Sequence, residues 1–349
     1  MKLFTNKGLI VVLAMCTIGF GQGSRMGTAS STQLQIAQGA RYLSGGGAAA
    51  MADGMDAAYW NPAGLAMGEN NVDAISSYRS YLADTGSNYF GVAGSFGALG
   101  KLGITARTFS IGEVKETTVF YPDGTGQMFT PSFMILGTTL SKKLSNRTSV
   151  GVNANWVSES FGRVSTNALA FDVGVQYRSL MDIENLNVGF VLKNFGSPVT
   201  YDGEGLGVVA QAGDANRPDE YYKVDAASFD LPFTMEMSAS YNLAGLDFGG
   251  TYSSNYYATD KMTFLAAYSL MDMATLRVGY QTSGVAQSIE DEDTSWYTDP
   301  FDGLSFGASL NLESLIGMNL SVDYAFMQTK YFSDNQVIAL RVGDRKSVV

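Results

Sequence analysis

The chain has 349 residues, a formal net charge of −11 and only 16% charged side chains. Without clustered Lys and Arg to displace condensed counterions, nucleic acid is excluded as a partner. Histidine is absent, which removes Ser-His-Asp and Cys-His nucleophiles and histidine-ligated metals, so the chain reads as no enzyme, with no catalytic residue, cofactor or metal centre.

Residues 1–23 read as a secretory signal peptide. Lys2 and Lys7 supply the charged start, residues 8–20 the apolar core, and Gly19, Gly21 and Gly23 the small residues for cleavage. The apolar run is shorter than the ~20 residues a spanning helix needs. The sole cysteine, Cys16, falls inside this leader, so its removal leaves no disulfide framework. No later stretch is long and apolar enough for a spanning helix, which makes the exported chain periplasmic, secreted or a barrel.

Residues 24–70 read as an N-terminal plug. Their centre, residues 39–66, is rich in glycine and alanine. The expected plug motif comprises Gly45, Gly46, Gly47, Asp53, Asp56, Trp60, Asn61, Pro62, Ala63 and Gly64. No Gly-Lys-Ser/Thr follows the glycine triplet, so it is not a phosphate loop; its glycines permit tight turns and close backbone approach. Asn61-Pro62 marks a turn, with Asn61 placed to bond the wall backbone where the plug runs on to the first strand. A fixed plug and a moving gate both fit these residues.

Residues 71–349 read as a transmembrane antiparallel β-barrel of about fourteen strands, because segment after segment alternates with period two. Val150, Val152, Ala154 and Trp156 share one face while Gly151, Asn153 and Asn155 share the other; Phe171, Val173, Val175 and Tyr177 oppose Asp172, Gly174, Gln176 and Arg178. The expected strand centres are Ser76, Val92, Thr105, Leu136, Ala154, Val173, Phe190, Met237, Gly250, Ala266, Val278, Gly307, Val322 and Leu340. All three long loops, residues 112–130, 197–229 and 285–302, fall on odd-numbered connections, as in outer-membrane barrels with short turns on one rim. A soluble β-sandwich is the alternative, but it has no reason to segregate its loops. Bilayer hydrocarbon offers no hydrogen-bond partner, so a sheet within it must close. Apolar faces then meet outer-membrane lipid, and polar faces meet the lumen. The lumen candidates are Arg107, Asp172, Arg178, Lys193, Glu236, Asp247, Arg277, Asp323 and Arg341, with structural pairing weighed against a polar transport path. In the long loops Tyr221, Tyr222, Trp296, Tyr297 and Phe301 are candidates for a partner-docking surface. The acidic run of residues 290–293 lacks an EF-hand register and reads as a solvated loop rather than a calcium site.

Gly39-Ala40-Arg41, the small-residue run 45–50, Ala52-Asp53, Asp56-Ala57-Ala58 and Trp60-Asn61-Pro62-Ala63-Gly64-Leu65 resemble the N-terminal signature of the PorV/PorQ family within the FadL-like outer-membrane barrels. Val322-Asp323-Tyr324-Ala325-Phe326 is a second match. The chain departs from such barrels in closing on Lys346-Ser347-Val348-Val349, without a terminal aromatic. The PorV/PorQ resemblance implies a type IX secretion component that docks translocon or cargo proteins through its outer loops. The FadL-like resemblance implies the alternative, passive transport of a hydrophobic small molecule with movement of the plug.

Overall fold

The computed structural model describes residues 25–43, 45–118, 120–210, 220–270, 273–284 and 299–344. The expected leader with Cys16, the acidic run 290–293, and the docking candidates Trp296 and Tyr297 lie outside these residues.

Fourteen strands form one closed antiparallel barrel. In chain order they are β1 (Val72–Ser80), β2 (Gly86–Ser95), β3 (Lys101–Ser110), β4 (Ser132–Lys143), β5 (Thr148–Phe161), β6 (Val164–Tyr177) and β7 (Leu186–Gly196). They continue as β8 (Thr234–Leu243), β9 (Leu246–Asn255), β10 (Lys261–Leu270), β11 (Ala274–Ser283), β12 (Gly303–Asn311), β13 (Asn319–Met327) and β14 (Asn335–Asp344). Each strand pairs with its sequence neighbours, and β14 closes on β1 with Ser76 opposite Leu340. The period-two reading therefore finds every strand of the barrel, and misses the three short two-stranded ribbons among the described loop residues. Closure leaves no edge with unpaired backbone, which is the condition for a sheet in hydrocarbon.

Side-chain parity sorts the two faces. On β5, Gly151, Asn153, Asn155, Val157 and Glu159 are buried inward, whereas Val152 and Trp156 are exposed outward. Phe90, Ile104, Leu169, Phe190, Val278, Phe306 and Ile338 stand outward on other strands, all exposed large apolar groups. A belt of this kind around a closed cylinder suits lipid. The rims differ as expected: residues 111–131, 197–233 and 284–302 connect strands at one end, and the other end has only short turns. These are called the long-loop and short-turn ends below.

Residues 25–71 run through the lumen. Ser30 N–H donates to Asp230 O (2.9 Å) and Gly27 N–H to Tyr257 O (3.2 Å), which holds the front of the segment at the long-loop end. Asn71 N–H donates to Asp344 O (2.8 Å) at the short-turn end, where β1 begins. Between them, among the described residues, lie short helical turns, Thr32–Gln35, Ala48–Met51, Gly54–Asp56, Ala57–Trp60 and Pro62–Met67. Pro62 opens the last of these, where its missing N–H costs nothing. Ala48, Ala52, Met55, Ala57, Trp60 and Leu65 form a buried cluster with Ile75, Tyr89 and Ala93 of the wall.

Wall glycines set how closely this segment sits. A Cβ added at Gly174 would come within 1.9 Å of Asn61 Oδ1, one at Gly151 within 2.3 Å of the Pro62 carbonyl carbon, and one at Gly189 within 2.0 Å of Ala49 O. These glycines lie on consecutive strands β6, β5 and β7, so the wall is stripped of side chains along one band. Glycine there lets two backbones approach. Gly174→Val is expected to leave a heat-modifiable barrel while costing about 1–3 kcal/mol through overpacking. The measurements are the unfolding midpoint and the single-channel leak of the reconstituted protein, and an unchanged leak would mean that this contact does not seat the plug.

Candidate functional site

The plug separates cavities of different chemistry at the two ends of the lumen. At the long-loop end, a cavity of about 520 Å³ lies above the plug, with Leu43, Tyr81, Phe109, Phe133, Phe301 and Met327 among its lining residues. It adjoins a smaller one of about 110 Å³ over Tyr59 and Trp60; Gln35, Ala37, Leu43, Lys261 and Gln281 line both. The aromatics touch in series: Tyr81 against Phe109 at 5.7 Å, Phe109 against Phe133 at 6.0 Å and Phe133 against Phe161 at 5.1 Å between ring centroids. Such edge contacts fix rings on a wall that period two would otherwise make polar. Phe301, expected on an outward docking face, instead lines this cavity and lies 5.6 Å from Tyr81. The hydrogen-bonded Asp299–Phe301 turn and the Lys261–Asp299 ion pair draw it inward. Lys261 offsets the cost of burying Asp299 and holds that carboxyl below its usual range.

The roof is clasped by Glu159 of β5. Its carboxylate accepts from Ser31 Oγ (2.5 Å), Gln33 Nε2 (2.6 Å) and Tyr201 Oη (2.6 Å), joining the front of the plug to the loop of residues 197–233. Burial and the Glu159 carboxylate together push the Tyr201 phenol up to about 12.

Asn61 is the central fastener of the plug. Its Nδ2 donates to Ala49 O (2.7 Å) within the plug and to Val175 O (3.2 Å) in the wall, and its Oδ1 accepts from Ala63 N–H (3.1 Å). Gln176 Nε2 donates to Ala49 O and Ala52 O from β6. Trp60 Nε1 donates to Gln38 O (3.1 Å), so its ring is fixed beneath the upper cavity. Gly47 N–H donates to Thr251 Oγ1 (3.0 Å), which in turn donates to Gly45 O (2.7 Å). A Cβ on Gly46 would meet Leu265 N at 2.5 Å, and one on Gly64 would meet Ala52 O at 1.9 Å.

The charged lumen candidates fall into separate groups. Asp172 Oδ2 accepts from Asn153 and Asn155 Nδ2 (2.8 and 3.0 Å), and Arg107 Nη2 donates to Asn155 Oδ1 (3.0 Å). Lys193 pairs with Glu236 at 3.4 Å and stands 4.2 Å from the Tyr59 ring centroid. Arg341 grips Asp323 through Nε (2.6 Å) and Nη2 (3.1 Å), while Arg277 donates to Ser309 Oγ (2.6 Å). Arg178 and Asp247 lie at the short-turn end, beside Arg41 and Arg277, around a cavity of about 350 Å³. Asp53 accepts from Arg41 Nη1 (3.1 Å) nearby. Among the described residues, no three of His, Cys, Asp and Glu gather where they could hold a metal ion.

The sequence reading missed Leu43, Tyr81, Phe109 and Phe133. A signal was present: Phe109 and Phe133 occupy the inward parity of their strands, shared with Arg107 and Ile135, at the long-loop end. Tyr221 and Tyr222 sit on a two-stranded ribbon, Gly207–Ala210 with Glu220–Lys223, outside the barrel, and both are exposed.

No family model and no curated protein matches the sequence. Solved structures do share the fold. The TodX monoaromatic hydrocarbon channel, as its deltaS2 mutant, superposes with a TM-score of 0.55 at 12% identity, covering 88% of this chain and 99% of that one. The toluene transporter TbuX of Ralstonia pickettii gives 0.53 at 15% identity over 88% of this chain and 98% of its own. A Pseudomonas aeruginosa FadL homologue gives 0.53 at 13% identity over 95% and 100%. The chain thus has the fold of FadL-like outer-membrane channels; at these identities the likeness extends to the fold alone.

Two expectations follow for the plug. Asn61→Ala removes the two donated bonds and the Ala63 contact, and should destabilise plug docking by about 1–3 kcal/mol, read as faster proteolysis between residues 37 and 66 with the barrel intact. Equal proteolysis would show that Gln176 suffices. Asp56 has both carboxylate oxygens buried without a hydrogen-bond partner. Burial raises its pKa; Arg341 and Arg41 oppose this, but Arg341 stands 3.7 Å away and is spent on Asp323. The protonated form of Asp56 is therefore stabilised relative to that of an exposed carboxyl. Its contribution to plug docking is complete below the ordinary carboxylate pKa and is lost as pH rises through the raised folded value. Protection of the plug should fall over that window in the native chain and stay flat in Asp56→Asn.

Proposed function

We propose that this chain is an outer-membrane barrel that passes small, largely apolar molecules from the long-loop side towards the short-turn side. The observation that carries the reading is the aromatic cavity above the plug: about 520 Å³, within the range of small-molecule sites, and walled by Phe109, Phe133 and Phe301. Phe109 and Phe133 place large rings at inward positions of a largely polar lumen. The shared fold of TodX, a monoaromatic hydrocarbon channel, and TbuX, a toluene transporter, supports the same class of solute. Onward passage requires the plug to shift, because Trp60, Asn61 and Leu65 are buried between the two cavities.

In this reading a solute partitions among the rings, gains burial free energy of about 25 cal/mol per Å² of apolar surface, and waits on movement of the Gly45–Gly47 and Asn61 contacts. The secretion role implied by the PorV/PorQ resemblance remains the second reading, resting on exposed Tyr221 and Tyr222 at the long-loop end.

Calorimetric titration of the detergent-solubilised protein with toluene, naphthalene and palmitate tests the proposal. At least one should bind saturably, and Phe133→Asp should weaken it by about tenfold or more, equivalent to about 1.4 kcal/mol. Absence of binding to the native protein, or binding indifferent to Phe133→Asp, would overturn the transport reading. Loop-dependent capture of a secreted protein in its place would transfer the assignment to docking.

A further inference from the structure

We propose that the cavity at the short-turn end is a binding site for a solute oxyanion, a carboxylate or a phosphate. The chain as a whole is acidic, with 22 Lys and Arg against 33 Asp and Glu. Yet Arg41 of the plug, Arg178 at the end of β6 and Arg277 of β11 line this one space of about 350 Å³, with Asp247 as the sole carboxylate among the described lining residues. A neighbouring space of about 270 Å³ at the same end shares Arg41 and Arg178 and carries the carboxylates Asp53, Glu69 and Asp73, so the excess of arginine is confined to the side facing Arg277.

The arginines differ in what occupies them. Arg41 is paired with Asp53 at 3.1 Å, half-exposed at the plug surface. Arg277 donates one hydrogen bond, to Ser309 Oγ. Among the described residues neither Arg178 nor Arg277 has a carboxylate within ion-pair distance, in contrast to Arg341, which is bound by Asp323. Asp247 is itself bonded by Asn242 Nδ2 at 2.6 Å. Two guanidinium forks are thus left with donors to spare, and a planar fork matches an oxyanion in two-point geometry. Asn187 and Thr275 line the same space and offer neutral donors.

The site stands apart from the aromatic cavity, with the plug between, and its test does not depend on transport. The intact protein in detergent is titrated with inorganic phosphate and, separately, with succinate, at ionic strength held constant with sodium chloride. Saturable heat with either anion is expected, and the anion that binds more tightly identifies the source. Arg178→Gln with Arg277→Gln should weaken binding by about tenfold or more, each lost fork contact to a charged acceptor being among the stronger hydrogen bonds. Heat-modifiable mobility checks that this variant keeps its barrel. Asp247→Asn, which removes the opposing charge, should tighten binding by about two- to fivefold. The proposal fails if neither anion binds the native protein beyond the chloride control. It fails equally if the folded double variant binds as the native chain does, or if Asp247→Asn leaves affinity unchanged.

Discussion

The structure depends on a contact between two backbones. The plug lies against a band of wall where β5, β6 and β7 present glycine inward, and atoms of Ala49, Asn61 and Pro62 occupy the space that Cβ atoms would need. Side chains on either surface would hold the two apart, and the hydrogen bonds from Asn61 and Gln176 could not span the gap. Small residues in the plug and glycines in the wall are therefore one feature, seen from two sides. Along this band the lumen is filled by main chain and short side chains, while Met55, Leu65 and Tyr89 pack the plug against the rest of the wall.

That filling also governs the charges. Polar groups shut between plug and wall have lost water and must find partners. Asp172 takes three hydrogen bonds, from Asn153, Asn155 and the Asn194 backbone, and Lys193 and Glu236 answer each other beneath Tyr59. Breaking one member of such a buried pair costs more than the pair contributes to stability. Away from the plug the restriction relaxes: aromatic rings gather above it, and arginines gather below, Arg41 paired with Asp53 and Arg178 and Arg277 outside any ion pair among the described residues. The two ends are thus free to carry chemistry that the middle cannot.

Much of this was legible in the sequence. Period-two alternation is a local signal, and each of the fourteen strand centres falls within a strand. The segregation of loop lengths gave the two rims for the same reason. The glycine and alanine run of residues 39–66 marked a segment that fits a narrow space. What alternation cannot express is which inward residue meets which plug atom, because that rests on the register of strands far apart in the chain, such as Val175 meeting Asn61. Phe301 shows the other limit: an aromatic in a long acidic loop reads as outward, and only the turn at Asp299 and the partner Lys261 bring it in. Phe109 and Phe133 were concealed by the averaging itself, since a polar face tolerates an occasional large ring without losing its period.

The seam between β1 and β14 has a consequence for assembly. The cork is tied covalently to β1, and its front end is clasped by Glu159 at the opposite rim. A segment that touches backbone on consecutive staves cannot be threaded into a finished cylinder. Seating the cork before β14 zips onto β1 spares the chain that threading, so the seam and the cork are coupled through one piece of covalent chain.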